Sequence, residues 1–106
     1  MLPSVEIVEA NGLKFMLFST NDLISYYIKH TGQFESDLVS TTEDVLKNNR
    51  SGIVLDIGAN LGTYSIPLAV RNPTLEIFCF EPQQVVYHQL CGNITLNQIE
   101  NITAYN

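Results

Sequence analysis

Two short apolar runs constrain this chain more than any other feature: IVLDI at Ile53 to Ile57 and LEIFCF at Leu75 to Phe80. Both are mostly branched or aromatic, without regular polar alternation. Such runs suit strands covered on both faces, as in a parallel sheet. One helix-length segment, from about Thr63 to Arg71, lies between them. Strand, helix and strand in that order make a βαβ unit with a right-handed crossover. Pro67 fits the first turn of a helix better than its middle, so this helix should start late or bend. After Glu81-Pro82, the residues Val86, Leu90 and Ile94 repeat at every fourth position and form one apolar stripe. Pro82 suits the first position of that helix. ITAYN, Ile102 to Asn106, reads as a third strand at the chain's end.

The residues before Ile53 have a different character. VEIVEANGLKFMLF, Val5 to Phe18, sets Asn11-Gly12 between two apolar-rich runs, the strongest short hairpin signal. A two-residue loop brings Glu9 opposite Lys14, a favourable cross-strand pair. Thr20 or Asn21 can cap a helix running to about Lys29, with Gly32 at its exit. A second helix is expected from Ser36 to Lys47, where Leu38, Val39, Val45 and Leu46 recur at helical spacing. NNRSG, Asn48 to Gly52, is a turn. Residues 1–52 are therefore expected to form a hairpin and helices packed on a core supplied by 53–106.

The chemistry concentrates in VLDIGANLGTYS, Val54 to Ser65. Open α/β sheets bind ligands at the carboxyl ends of their strands. Gly58 and Gly62 let the backbone turn and approach a ligand with no Cβ in the way. Glu81 ends the second strand at about the spacing of a ribose-binding acid, roughly 20 residues after the loop. A dinucleotide fingerprint, G-x-G-x-x-G, lays pyrophosphate against the backbone. Here Asn60 replaces its second glycine, and Asp56 places a negative charge where that anion would lie. A carboxylate suits a cation instead, and S-adenosylmethionine carries a sulfonium and an ammonium but no phosphate. An NAD-dependent oxidoreductase is the disfavoured alternative. Each residue also has a plainer reading: Asn60 as a left-handed turn residue, Glu81 as a helix-start acid, Tyr64 as packing.

VLDIGANLGTYSIPLA, FCFEP and LCGNITLNQIENITAYN together resemble the S-adenosylmethionine-binding half of the FkbM family of methyltransferases, over Ile53 to Asn106. The resemblance implies an α/β fold, a partial class I methyltransferase: a doubly wound, Rossmann-like sheet preceded by the hairpin and helices and cut short after the third strand. It implies S-adenosyl-L-methionine as cofactor, with Asp56, Gly58, Asn60 and Gly62 on the methionine and ribose side. Glu81 would hold the ribose hydroxyls, and Pro82 and Gln83 would border the adenine. Tyr64 and Ser65 match the family pattern without a defined role. TGQFE, Thr31 to Glu35, resembles an upstream element that closes the pocket, with Glu35 its candidate. The implied reaction is O-methylation of a sugar or natural-product hydroxyl, and the catalytic base is not named. The segments that would form an acceptor pocket do not match anything here. A catalytically incomplete piece, needing a second chain or a C-terminal half to complete the sheet, is therefore the competing expectation.

Composition limits the partners. The formal net charge is −6 with only five Lys and Arg residues, which leaves no electrostatic footprint for nucleic acid or an anionic membrane. No run approaches the roughly 18 apolar residues of a membrane span, and Glu6 and Glu9 interrupt any leader-like start. A cytoplasmic protein is expected. Cys79 and Cys91 are expected as free thiols. His30 and His88 lack metal-ligand spacing with them, so no metal site is expected. Asn93-Ile94-Thr95 and Asn101-Ile102-Thr103 match the glycosylation pattern by chance.

Overall fold

The computed structural model describes residues 4–18, 28 and 35–106. An antiparallel hairpin comes first, with β1 (Val5–Ala10) and β2 (Leu13–Phe18) in the expected register, Glu9 opposite Lys14. Asn11 and Gly12 both take positive φ, 52° and 78°, as a primed two-residue turn requires. Phe15 and Leu17 on alternate positions of β2 are buried in the core. The expected helix from Thr20 or Asn21 to Lys29, with Gly32, lies outside the described residues apart from Ile28, which is helical and buried.

Three parallel strands form the second sheet: β3 (Ile53–Ile57), β4 (Glu76–Phe80) and β5 (Ile102–Tyr105), in the order β3-β4-β5. Asp56 stands beside Cys79, and Phe80 beside Tyr105. Helices α1 (Ser36–Val45), α2 (Ser65–Arg71) and α3 (Gln84–Leu96) accompany it among the described residues. The α2 helix starts late, so Pro67 falls within its first turn, where the missing N–H costs nothing. In α3, Pro82 is not the first helical residue as expected. The Glu81 carboxylate accepts the Gln83 N–H at 2.9 Å, Gln83 stays extended as the N-cap, and the helix begins at Gln84.

Among the described residues the sheet is covered on one face. Ile77, Cys79 and Ile102 join Leu68 of α2 and Leu90 of α3 in one core. On the other face Ile53, Leu55 and Ile57 are 63%, 62% and 74% exposed. There the rings of Phe80 and Tyr105 stack, with centroids 5.2 Å apart. The described helices thus wind one side of the sheet. The α1 stripe also departs from expectation: only Val39 is buried, while Leu38 and Val45 are exposed. Polar ties hold α1 to α2 instead, from Glu43 to Arg71 at 2.6 Å and from Glu43 to Asn72 at 2.8 Å.

The hairpin docks on α3 through side-chain amides. Gln89 donates to the Met16 carbonyl at 2.8 Å, and Asn93 accepts the Met16 N–H at 2.5 Å. Asn97 accepts the Lys14 N–H at 2.9 Å and donates to the Lys14 carbonyl at 2.7 Å. These amides, one helical turn apart, satisfy the edge of β2 as a neighbouring strand would. Gly92 lies beside them, and a Cβ there would collide with the Met16 methyl. Both glycosylation-like asparagines are used by the fold. Asn93 is fully buried, and Asn101 donates to the carbonyls of Ala69, Asn72 and Leu75. Cys79 and Cys91 are free, and burial pushes the Cys79 thiol up to about 11. Among the described residues no helix is long and apolar enough to cross a membrane.

Candidate functional site

The loop after β3 is built by hydrogen bonds to the end of β4. The N–H groups of Gly58 and Ala59 both donate to the Phe80 carbonyl, at 2.8 and 3.0 Å. That crossing brings the Asn60 N–H to Glu81 Oε1 at 2.9 Å. Asn60 takes φ 54° and its own Oδ1 accepts the next N–H, that of Leu61, at 2.9 Å. The plainer reading of Asn60, a side chain that shapes a left-handed turn, therefore operates here.

The two glycines differ. Gly58 has φ 79°, and a Cβ built on it would meet nothing within 4 Å. Open space lies above it, as a ligand approach needs. Gly62 has φ 105°, and its Cβ would lie 2.6 Å from Ile66 Cδ1 and 3.1 Å from Leu90 Cδ1. It is buried against α2 and α3. The missing side chain at Gly62 therefore makes room for helix packing.

A cleft of about 240 Å³ opens beside this loop, and its walls include Asp56, Gly58, Asn60, Tyr64 and Glu35. Thr63, Ala59 and Leu38 complete the described lining. Two carboxylates therefore face one small space, and no lysine or arginine among the described residues lines it. Asp56 accepts the Ser65 hydroxyl at 2.6 Å. Burial pushes the Asp56 carboxyl above its ordinary value of 3.8; the Ser65 hydrogen bond pulls it back, and the nearby Glu81 charge adds to the rise. Glu35 caps α1 in a left-handed conformation, φ 62°, and accepts the Thr63 hydroxyl at 2.8 Å. A non-glycine residue held there is strained, a condition that tends to persist at functional sites. Residues Thr31 to Phe34 of the same element lie outside the described residues. Tyr64 gives its hydroxyl to a 2.6 Å hydrogen bond with Thr42 of α1, so it ties the cleft wall to that helix.

Glu81, Pro82 and Gln83 border the loop without lining the described cleft. Glu81 is 4% exposed, and both its oxygens accept backbone N–H groups, from Asn60 and Gln83. Each oxygen keeps one acceptor site for another donor. A second cavity, about 220 Å³, lies between the hairpin, α1 and α2. Its walls are mainly apolar, with Phe15, Ile28 and Val39, and it does not suit a charged nucleoside.

No family model matches the chain. Over 55 residues it is 34% identical to the tRNA(Phe) (4-demethylwyosine(37)-C(7)) aminocarboxypropyltransferase of Methanocaldococcus jannaschii, covering 52% of this chain and 22% of that protein. Over 80 residues it is 32% identical to the methyltransferase sdnD of Sordaria araneosa, covering 72% of this chain and 31% of that protein. The chain thus spans less than a third of the length of these curated relatives. The crystal structure of M. jannaschii TYW2 in complex with AdoMet superposes with a TM-score of 0.67 at 21% identity, over 96% of this chain and 42% of that one. The fold is the class I fold of S-adenosylmethionine-dependent methyltransferases.

Within that fold, sequence reasoning overlooked Thr63, the partner of Glu35, and left Ser65, the partner of Asp56, without a role. Thr63 meets a residue from another element, so no local spacing announces it. Ser65 lies one helical turn from the loop and was visible only as part of a pattern.

Proposed function

We propose that the chain is the donor-binding part of an S-adenosylmethionine-dependent methyltransferase of FkbM type, acting on a sugar or natural-product hydroxyl. One observation carries the reading: a cleft at the carboxyl end of β3 presents Asp56 and Glu35 and no described cation, with open space over Gly58. Opposite charge favours a sulfonium and ammonium there and disfavours a pyrophosphate. Asp56 is the residue to meet the positive end, with Ser65 orienting it. Glu35 and Tyr64 close the wall from the side of α1. Glu81 sets the loop through Asn60 and keeps an acceptor for a ribose hydroxyl. Pro82 and Gln83, following it, border the adenine, and Gly62 supports the loop from behind.

A second reading has its own support. The relative at 34% identity is named for aminocarboxypropyl transfer to a tRNA. That keeps RNA among the acceptor classes, against the expectation drawn from net charge. S-adenosylmethionine supplies an electrophilic methyl or aminocarboxypropyl carbon on its sulfonium; loss of the first leaves S-adenosylhomocysteine, and loss of the second leaves methylthioadenosine. Calorimetric titration with S-adenosylmethionine and with NAD tests donor choice, and tighter binding of NAD would overturn it. Incubating the protein with labelled donor, once with hydroxylated small molecules and once with tRNA as acceptor, then identifying the nucleoside released, separates the two transfers.

A further inference from the structure

We infer that Asn93 is a positioning residue for the donor-binding loop, held in place by the N-terminal hairpin. Asn93 is fully buried in α3, far from the cleft wall in sequence, and its carboxamide uses both ends. Oδ1 accepts the N–H of Met16 on β2 at 2.5 Å. Nδ2 donates to the Leu61 carbonyl at 2.9 Å. A partner N–H on one side and a carbonyl on the other fix which end is which. The Leu61 carbonyl belongs to the apex of the loop, directly after Asn60. Leu61 is 2% exposed, so without Asn93 that carbonyl loses its partner where water does not readily replace it.

The loop apex is thus held from two directions. Glu81 grips the Asn60 N–H from the end of β4, and Asn93 grips the Leu61 carbonyl from α3. Turning the apex would break both bonds and move Asn60 and Gly58 together. The hairpin enters because the Met16 N–H saturates the other end of the same carboxamide. Docking β2 fixes the orientation in which Asn93 serves the loop. Asn97 is the natural contrast: its side chain makes two bonds to Lys14 of the hairpin and one to the Asn93 backbone carbonyl, and none to the loop.

The inference rests on the donor-site reading for its consequence in binding, and the test separates the two. Amide hydrogen exchange is measured on the chain and on Asn93→Ala and Asn97→Ala. In Asn93→Ala the amides of Asn60 and Leu61 should exchange about tenfold faster relative to core amides of β4 such as Ile77 and Cys79. General loss of stability would speed loop and core together. Asn97→Ala should speed exchange in the hairpin and leave the loop within about twofold. Equal effects of the two variants on the loop, or no local effect of Asn93→Ala, overturns the inference whether or not donor binds. If Asn93→Ala does not fold, Asn93→Ser, which keeps a short donor and acceptor, replaces it with the same criterion. S-adenosylhomocysteine titration then adds the consequence, an affinity about tenfold weaker in the Asn93 variant alone. Failure of the unsubstituted chain to bind it counts against the donor-site reading and leaves the exchange result standing.

Discussion

Gly58 and Gly62 sit in one loop and are glycine for opposite reasons. Both have positive φ, 79° and 105°, so sequence spacing makes them look like a matched pair. Space separates them. A side chain on Gly58 would enter the open cleft, whereas one on Gly62 would drive into Ile66 and Leu90. The loop therefore has an open end, where Asp56 and Asn60 face a ligand space, and a packed end that seats the loop on α2 and α3. A glycine-rich loop needs a rigid back as much as an accessible front. Substitutions at the two ends should separate stability from binding.

The largest effect is expected at the packed end. Gly62→Ala adds overpacking against a fully buried Ile66 to the cost of a left-handed residue, together about 3 kcal/mol. Urea unfolding measures it. A loss no greater than that of Gly58→Ala would break the contrast. Next comes Asp56→Asn at the open end. Removing the charge that faces a cationic donor should weaken S-adenosylmethionine binding by about tenfold or more. The melting temperature should hold or rise, because the half-buried carboxylate is unfavourable in the free protein. Gly58→Ala follows, with about 1 kcal/mol of backbone strain and no clash, since its Cβ meets nothing.

How much of this could be read beforehand depends on how local the cause is. The bounds of β3 and the register of Glu9 with Lys14 were legible because branched runs and an Asn-Gly turn act on their own neighbours. The late start of α2 was legible from Pro67 alone. Asp56, Gly58 and Asn60 were legible as a group because one short loop holds them. The rest depends on distant partners. Gln89, Asn93 and Asn97 pair with β2, which lies near the other end of the chain. Glu81 looks like a ligand acid, yet it also fastens two backbone N–H groups. Ile53, Leu55 and Ile57 are exposed among the described residues. Their pattern is that of a strand buried on both faces, and a sequence pattern records what a strand is suited to, not which neighbours stand beside it.

The smallest expected effect is the pH dependence at the open end, and its two parts run in opposite directions. The folded chain holds the Asp56 carboxyl above its ordinary value of 3.8, chiefly through burial. The folded state therefore binds this proton more tightly than the unfolded state does. Its contribution favours folding below pH 3.8 and is lost as the pH rises through the raised folded value. A cationic donor reverses the preference at the same carboxyl, because its positive charge favours the ionised form. Affinity for S-adenosylmethionine should then increase as the pH rises through that window and level off above it, with proton release on binding inside it. Calorimetry in buffers of different ionisation enthalpy detects the proton. In Asp56→Asn both the slope in affinity and the proton release should disappear. If they persist in that variant, the proton does not come from Asp56, and the open end is not organised around the carboxylate at the end of β3.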